Sequence, residues 1–491
     1  MRSIQECFSR KDRPLRVLQF GEGNFLRAFA DWMIDILNEQ GLFDGGIAVV
    51  KPIPMGSLDR FRRQDNLYTV SLRGNVKSEA VTQNRVVTSV AEVTDAYGEY
   101  AAYAQYALFP SLRFVISNTT EAGIVYDPED RFSYEPPHSF PGKLTKLLYE
   151  RAQHFDYAPD KGLVMLPVEL IDDNGGELKR CVTRLAQDWK LGDRFLRWLE
   201  ESCVFTSTLV DRIVTGYPRE EAEAIWQELG YRDELLVTAE PFGLWVIESP
   251  RDISKELPFP QAGLPVIFTG DQKPYKQRKV RILNGAHTSF ALAAYLAGHD
   301  IVRQAMEDPL FLSFMRGTLH NEVIPTLDLP RQDLEDFAQA VEHRFNNPFV
   351  QHQLLSIALN SVSKWKARCL PSLAAYWEKT GALAPHLAFS LAALIAFYRG
   401  SRMEDGALIG QRDGVPYRIL DDEETLAFFL AHRQDTAAAR AHAVLSRGEF
   451  WGRDLTEIPG LEAYVAQALA DIEALGVRAA MEKRFAEKTE A

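Results

Sequence analysis

The sequence predicts an α/β fold, with a doubly wound parallel sheet in the first half of the chain and a mostly α-helical second half. Three observations carry this expectation. Short apolar strands alternate with helical segments up to about residue 275. The first strand ends in Gly21-Glu22-Gly23 and passes at once into a helix. After about residue 275, helical spacing dominates and strand-like alternation is scarce.

Taken in order, Arg16 to Phe20 is a short apolar strand. Asn24 to Gln40 has helical spacing, with Phe25, Phe29, Met33 and Leu37 on one face and Gly41 as the stop. Gly46 to Pro52, Arg113 to Ser117 and Gly162 to Pro167 read as further buried strands. The Pro-rich stretch 248–274 is the expected crossover, which gives domains 1–275 and 276–491. The second half offers helices over 279–297, 334–345, 349–366, 385–398, 423–432 and 461–488. Glu487 to Ala491 reads as a solvated tail.

Composition narrows the function classes. The chain has 491 residues, 46% of them hydrophobic, which is enough for two sizeable cores. There are 68 acidic and 55 basic residues, and a net charge of −13 argues against nucleic acid or an anionic membrane as partner. A locally basic pocket for a small anion remains compatible with that balance. The four cysteines, Cys7, Cys181, Cys203 and Cys369, lack CxxC spacing and read as free thiols. The start of the chain lacks a signal peptide's apolar run, so a cytoplasmic protein is expected. Leu387 to Phe397 is too short to span a bilayer, which needs about 20 residues, and reads as a buried core helix.

The turn Gly21-Glu22-Gly23-Asn24-Phe25-Leu26 suits a dinucleotide. Gly21 permits the tight turn, Gly23 admits the pyrophosphate, and the helix start offers free N–H groups. Leu26 stands where a third glycine is usual. The second strand ends Val49-Val50-Lys51-Pro52 without the acid that would hold an adenosine ribose. Asp65 is a later candidate for that role, and Lys51 could instead meet a 2′-phosphate, so NAD and NADP both stay open. Thr119, Thr120 and Glu121 follow a strand's carboxyl end, where doubly wound sheets bind ligands.

Lys279, Asn284 and His287 open the helical half. At about 100° per residue, Asn284 and His287 share a face, and Lys279 lies within about 80° of His287. Carbonyl reduction needs a proton donor and an amide to hold the developing oxyanion. A lysine can donate if burial and cations lower its pKa from about 10.4 to near neutrality, about 4 kcal/mol of differential stabilisation. Lys276, Arg278 and Arg281 are the nearby cations. A helix-start lysine is also a common surface residue, and spacing alone leaves both readings open.

These residues resemble the polyol-specific long-chain dehydrogenase family, which includes mannitol dehydrogenases and hexuronate reductases. The family's Lys-x4-Asn-x2-His pattern matches Lys279, Asn284 and His287, and its GxGxFxRxF loop matches Gly21, Gly23, Phe25, Arg27 and Phe29. Val210-Asp211-Arg212-Ile213, Asn174-Gly175, Glu240-Pro241-Phe242 and Arg344-Phe345-Asn346-Asn347-Pro348 extend the match. Ser117-Asn118-Thr119-Thr120 and Lys273-Pro274-Tyr275-Lys276 look most like the hexuronate reductases. Thr215 departs from the mannitol-type pattern. The resemblance implies a Rossmann-type first domain and metal-independent, NAD-dependent interconversion of D-tagaturonate and D-altronate in galacturonate catabolism. It implies Lys279 as general acid/base, Asn174 and Asn284 as holders of the reacting oxygen, and His287 as the group that orients substrate and lysine.

A hexuronate carboxylate needs a cation when desolvated, and Arg344, Lys364, His352 and Lys276 are the candidates. Asp211 and Arg212 read either as a site pair or as a buried structural ion pair, the structural reading being favoured because adjacent charges on a strand point in different directions, and Trp245 reads as core. The same chemistry on fructuronate or on a neutral polyol is the near alternative. A nucleotide-binding protein without catalysis is the alternative of another class. Oligomeric state is not legible.

Overall fold

The computed structural model describes residues 1–76, 79–120 and 122–485, the side chain of Val76 excepted. Glu121 and the tail Glu487 to Ala491 lie outside the described residues. The chain divides into two compact units, Met1–Gly74 with Val81–Gln272, and Asn75–Ala80 with Lys273–Ala491.

The first unit is built on six parallel strands: β1 (Leu15–Phe20), β2 (Gly46–Lys51), β3 (Val90–Asp95), β4 (Phe114–Ser117), β5 (Val164–Pro167) and β6 (Val204–Phe205). Their spatial order is β3-β2-β1-β4-β5-β6, with every neighbouring pair parallel. This is the order of two mononucleotide-binding halves, and the expected doubly wound fold is borne out.

The four inner strands read as mostly apolar runs because both faces are covered, whereas the outermost strands Val90–Asp95 and Val204–Phe205 were not legible. Val17, Ile47, Val49, Phe114 and Ile116 pack on Phe29, Met33 and Leu37 of the helix after β1. The alternating residues Leu18, Val50, Val115 and Met165 pack on the other face, with Leu144, Leu148 and Val182. Trp245 is fully buried in the first of these cores.

Two smaller sheets of mixed parallel and antiparallel pairing were not legible. Val214–Gly216, Val237–Ala239, Tyr68–Val76 and Glu79–Val87 form a second sheet, and Ser207–Asp211, Leu244–Glu248 and Val266–Thr269 a third. Their short, often one-sided runs carry little periodicity.

The second unit is mainly helical. Pro385–Phe397 is almost wholly buried, as its continuous apolar sequence requires, and packs against Gly285–Leu296. Two expected helices are broken. The stretch 349–366 becomes a single turn, Leu354–Ile357, and a helix, Ser361–Arg368, because Asn360 adopts φ 53° between them. The stretch 461–488 splits at Gly476, φ 83°, into Leu461–Leu475 and Val477–Phe485. A three-stranded antiparallel sheet, Arg402–Glu404, Ala407–Arg412 and Val415–Ile419, interrupts the helices and was also missed. Among the described residues no helix is long and apolar enough to cross a membrane. All four cysteines are free thiols.

Candidate functional site

In the first unit, the strand order reverses between β1 and β4, and ligands of such sheets bind at the carboxyl ends flanking that point. Gly21 leaves β1 with φ 118°, and a Cβ there would lie 2.9 Å from the Asn118 carbonyl oxygen at the end of β4. Only glycine serves both constraints. Gly23, exposed, has nothing within 4 Å of a would-be Cβ, so the backbone is open to an approaching group. A helical run follows as Asn24–Leu26, the π turn Arg27–Asp31 and Trp32–Glu39. Asn24 is exposed, Phe25 half-buried and Leu26 buried in the core, where its side chain takes the room a third glycine would leave. Arg27 is buried and donates to Asn24 Oδ1 at 2.6 Å and to the Leu235 carbonyl.

A cleft of about 480 Å³ opens at this edge of the sheet, lined by Pro52 and Ile53 after β2, by Thr119 and Thr120 after β4, and by Tyr126 and Phe140. Its size suits part of a dinucleotide. A nicotinamide dinucleotide fits the residues present. The Gly21 cradle excludes any side chain, Gly23 exposes backbone, and the cleft continues along the same edge.

Glu169, just past β5, was missed by sequence reasoning, although an acid directly after a buried strand is a legible signal. It is 2% exposed. Its carboxylate accepts from Ser117 Oγ at 3.1 Å, and from Thr119 N–H at 3.0 Å and Oγ1 at 2.9 Å. Burial pushes its pKa up, against those hydrogen bonds. Glu169 thereby fixes the loop after β4, including the left-handed Thr120 at φ 80°.

Two expectations about the adenosine end are corrected. Asp65 is exposed and pairs with Arg10 at 3.0 Å. Arg10 also donates to the carbonyl of Ala91, near the amino end of β3. Asp65 therefore belongs to the edge of the sheet opposite the glycine turn. Lys51 is 1% exposed, and its ammonium is spent on the carbonyls of Ile53, Pro54 and Met55 and on Asp95 at 3.1 Å. It ties the loop after β2 and is not presented to a 2′-phosphate.

Asn174 is likewise reassigned. It is buried, and its amide nitrogen donates to the carbonyls of Pro167, Glu169 and Thr208 at 3.0–3.1 Å. Its Oδ1 accepts from Gly175 and Thr208 N–H. Two amide hydrogens already face three carbonyls, which leaves none for a reacting oxygen. Asn174 instead holds the end of β5 against the helix Asn174–Asp188 and the strand Ser207–Asp211. Arg212 is structural, as expected. It is buried, donates to the carbonyls of Ala28 and Phe242, and stacks 4.6 Å above Trp32. Desolvation brings its pKa down to about 10.

In the second unit, Lys279 and Asn284 are the first and last residues of a π turn, Lys279–Asn284, set between the helices Lys273–Arg278 and Gly285–Leu296. Gly285 N–H donates to the Val280 carbonyl, five residues back. In an α-helix, residues five apart are about 140° apart around the axis. The i→i+5 closure brings them nearly over one another. The wider turn thus gathers Lys279 and Asn284 more closely than the expected α-helix would. Both are half-buried.

His287 stacks on Phe345, with centroids 3.9 Å apart, and meets His352 edge-on at 5.1 Å. Its Nε2 is buried with no hydrogen-bond partner. Burial, then His352, Arg344 and Arg368, hold its pKa well below the usual imidazole range, so the ring is neutral. His352 is also shifted down, by burial and by Lys364. Arg344, at 9% exposure, stands in the last turn of the helix Arg331–Phe345. Lys364 donates to the Ile357 carbonyl at 3.0 Å, and its pKa is lowered by burial and by Arg368. Arg344 and Arg368 act directly on His287, and Lys364 on the neutral His352 beside it, so the cations around His287 are Arg344, Arg368 and Lys364 in a partly desolvated surround. Lys276 stands half-buried on Lys273–Arg278, the helix before the π turn. Arg368, which sequence reasoning overlooked, belongs to the surround. Its spacing of four from Lys364 was the available signal.

Asp127, Asp130 and His138 bring ligand atoms within 4.8 Å of one another. Asp130 already accepts from Ser139 N–H and Oγ and from His138 N–H, which explains the trio as a loop brace.

Comparison with known proteins agrees with this architecture. Residues 15–260 match the mannitol dehydrogenase Rossmann domain, and residues 271–473 the mannitol dehydrogenase C-terminal domain. An altronate oxidoreductase of Yersinia enterocolitica is 47% identical over 481 residues, covering 96% of this chain and 98% of its own. One from Klebsiella pneumoniae is 49% identical, covering 94% of each. Among solved structures, a substrate-free D-sorbitol dehydrogenase superposes with a TM-score of 0.79 at 23% identity, covering 95% of both chains. The Pseudomonas fluorescens mannitol 2-dehydrogenase ternary complex with NAD and D-mannitol gives 0.65 at 23%, covering 96% of this chain and 94% of that one. With both domain profiles matched in order along nearly the whole chain, this protein belongs to the mannitol dehydrogenase family.

Proposed function

We propose that this protein reduces D-tagaturonate to D-altronate, reversibly, with NAD as hydride carrier. The observation that carries this is end-to-end identity of 46–49% to relatives named altronate oxidoreductase. The cationic surround of His287 supports a substrate bearing a carboxylate rather than a neutral polyol. Residues 1–275 are assigned to the cofactor and 276–491 to the substrate.

NAD rather than NADP is supported by the electrostatics after β2. Lys51 is already neutralised there by Asp95, and Glu22, between the two glycines, adds a further acid. A 2′-phosphate would meet acids and no available cation among these groups. When bound, the nicotinamide supplies or accepts the hydride.

The chain's own residues do the rest. Gly21, Gly23, Asn24, Phe25 and Leu26 form the turn for the pyrophosphate, and Thr119 and Thr120, fixed by Glu169, border the cofactor cleft. Lys279 Nζ gives a proton to the nascent alkoxide in reduction and takes it back in oxidation. Asn284, gathered to Lys279 by the π turn, donates its amide N–H to the same oxygen. His287, kept neutral by its surroundings, offers Nε2 as a hydrogen-bond partner to a substrate hydroxyl. No residue here requires a metal for these steps. Cytoplasmic location fits a substrate of central metabolism.

The test is NADH oxidation with D-tagaturonate, D-fructuronate and D-fructose side by side. Preference for tagaturonate by tenfold or more, about 1.4 kcal/mol of transition-state discrimination, is expected. Equal rates on fructose would refute the carboxylate reading.

A further inference from the structure

We propose that Arg368, with Lys364 one turn before it, is the pair that grips the substrate carboxylate and so selects a sugar acid over an uncharged keto-sugar. This rests on the keto-acid reading above and names its specificity element. The helix Ser361–Arg368 presents Lys364 and Arg368 at i and i+4, hence on one face. Arg368 Nη1 donates to Thr288 Oγ1 at 3.2 Å, which ties the guanidinium to the helix Gly285–Leu296 at the residue after His287, whose ring feels the Arg368 charge.

A guanidinium has five N–H donors, and the Thr288 contact uses one. The others keep the planar fork that matches a carboxylate. Among the described residues Arg368 makes no ion pair with a carboxylate of the chain. The acid nearest Lys364 electrostatically, Asp421, is occupied by the Tyr398 hydroxyl.

Two cations on one face, partly desolvated and without a bound acid between them, raise each other's free energy. Burial and mutual repulsion lower the pKa of Lys364, and burial lowers that of Arg368. An incoming carboxylate relieves that repulsion; a hydroxyl does not. His287, whose ring feels the charge of Arg368, adds a buried Nε2 without a hydrogen-bond partner.

The experiment compares the parent enzyme with Arg368→Gln and Arg368→Lys. Turnover of D-tagaturonate is one readout. The other is binding of D-galactonate, an anion, and galactitol, its uncharged counterpart, read by thermal shift with NADH present. Arg368→Gln is expected to raise KM for tagaturonate, and the Kd for galactonate, by about 100-fold, with kcat and galactitol binding changed less than about tenfold. Arg368→Lys should fall between, since it keeps charge but loses the fork; it also serves if Arg368→Gln folds poorly. Unchanged KM and galactonate binding, or equal losses for galactonate and galactitol, would overturn the assignment. Absence of turnover by the parent would count against the proposed reaction, while the galactonate arm would still decide whether Arg368 holds a carboxylate.

Discussion

Beneath the glycine turn, Asp31 is fully buried and offers an experiment whose magnitude follows from its surroundings. Tyr68 donates its hydroxyl to Asp31 Oδ2 at 2.7 Å, Gln19 approaches at 3.4 Å, and Oδ1 has no partner. Gln19 also donates to the Gly21 carbonyl, which links this carboxyl to the cofactor turn. Desolvation raises its pKa from 3.8 to about 7, outweighing the Tyr68 and Gln19 hydrogen bonds and Arg27. The folded chain therefore keeps a proton that the unfolded chain releases between those values. Stability contributed by this group is complete below pH 3.8 and is lost as pH rises to 7. The full loss is about 4 kcal/mol, of which about 1.7 is already gone at pH 5.

Asp31→Asn keeps an oxygen for Tyr68 and removes the titration. Its unmatched amide costs the same at every pH. Urea unfolding at pH 5, 6, 7, 8 and 9 should show the parent losing about 2.5 kcal/mol relative to the variant between pH 5 and 8, with no further divergence above. Curves that run parallel across this range would refute the reasoning that Asp31 is protonated in the fold.

Other outcomes follow from the same structure. Gly23→Ala should leave the melting temperature unchanged, since its Cβ meets nothing, yet weaken NADH binding about tenfold or more in a fluorescence titration if the backbone contacts pyrophosphate. Parent-like affinity would remove the turn from the cofactor site. Lys279→Ala should cut kcat by about 100-fold or more, in line with the loss of a general acid, with NADH affinity nearly unchanged; near-normal turnover would remove the lysine from the mechanism. Glu169→Ala leaves the Ser117 and Thr119 donors without their acceptor, a loss of about 2–4 kcal/mol measurable by denaturation, and Glu169→Gln should lose less. For His287, with its pKa depressed, the folded chain binds fewer protons than the unfolded chain below pH 6.5, so its contribution to stability is present above 6.5 and falls as the medium is acidified. His287→Phe should flatten that acid-side slope, and an unaltered slope would contradict the neutral, buried ring.

Much of this protein was determined by local sequence. Four of the six parallel strands were legible because both their faces are buried, which makes them mostly apolar runs; the two outermost, Val90–Asp95 and Val204–Phe205, were not, the first because it is polar and half-buried along one side and the second because it is only two residues long. Gly21 was legible because a strand that turns sharply into a helix demands a positive φ, and Leu387–Phe397 because apart from Ser390 it is wholly apolar. Lys279, Asn284 and His287 stood out through the family pattern, since their spacing by itself was equally that of a surface lysine and a core histidine. Tertiary structure alone decided the rest, because a side chain's work depends on what surrounds it. Lys51 and Asp65 are plausible ribose or phosphate ligands by position; Lys51 is consumed by three carbonyls and Asp95, and Asp65 lies at the wrong edge of the sheet. Asn174 resembles an oxygen-binding amide until its backbone partners are counted. The π turn replaces the expected angle between Lys279 and Asn284 through one backbone hydrogen bond that no residue type announces. Arg368 acquires meaning only where the fold carries its helix to Thr288 and His287, because desolvation and the field of neighbouring charges are properties of three-dimensional surroundings.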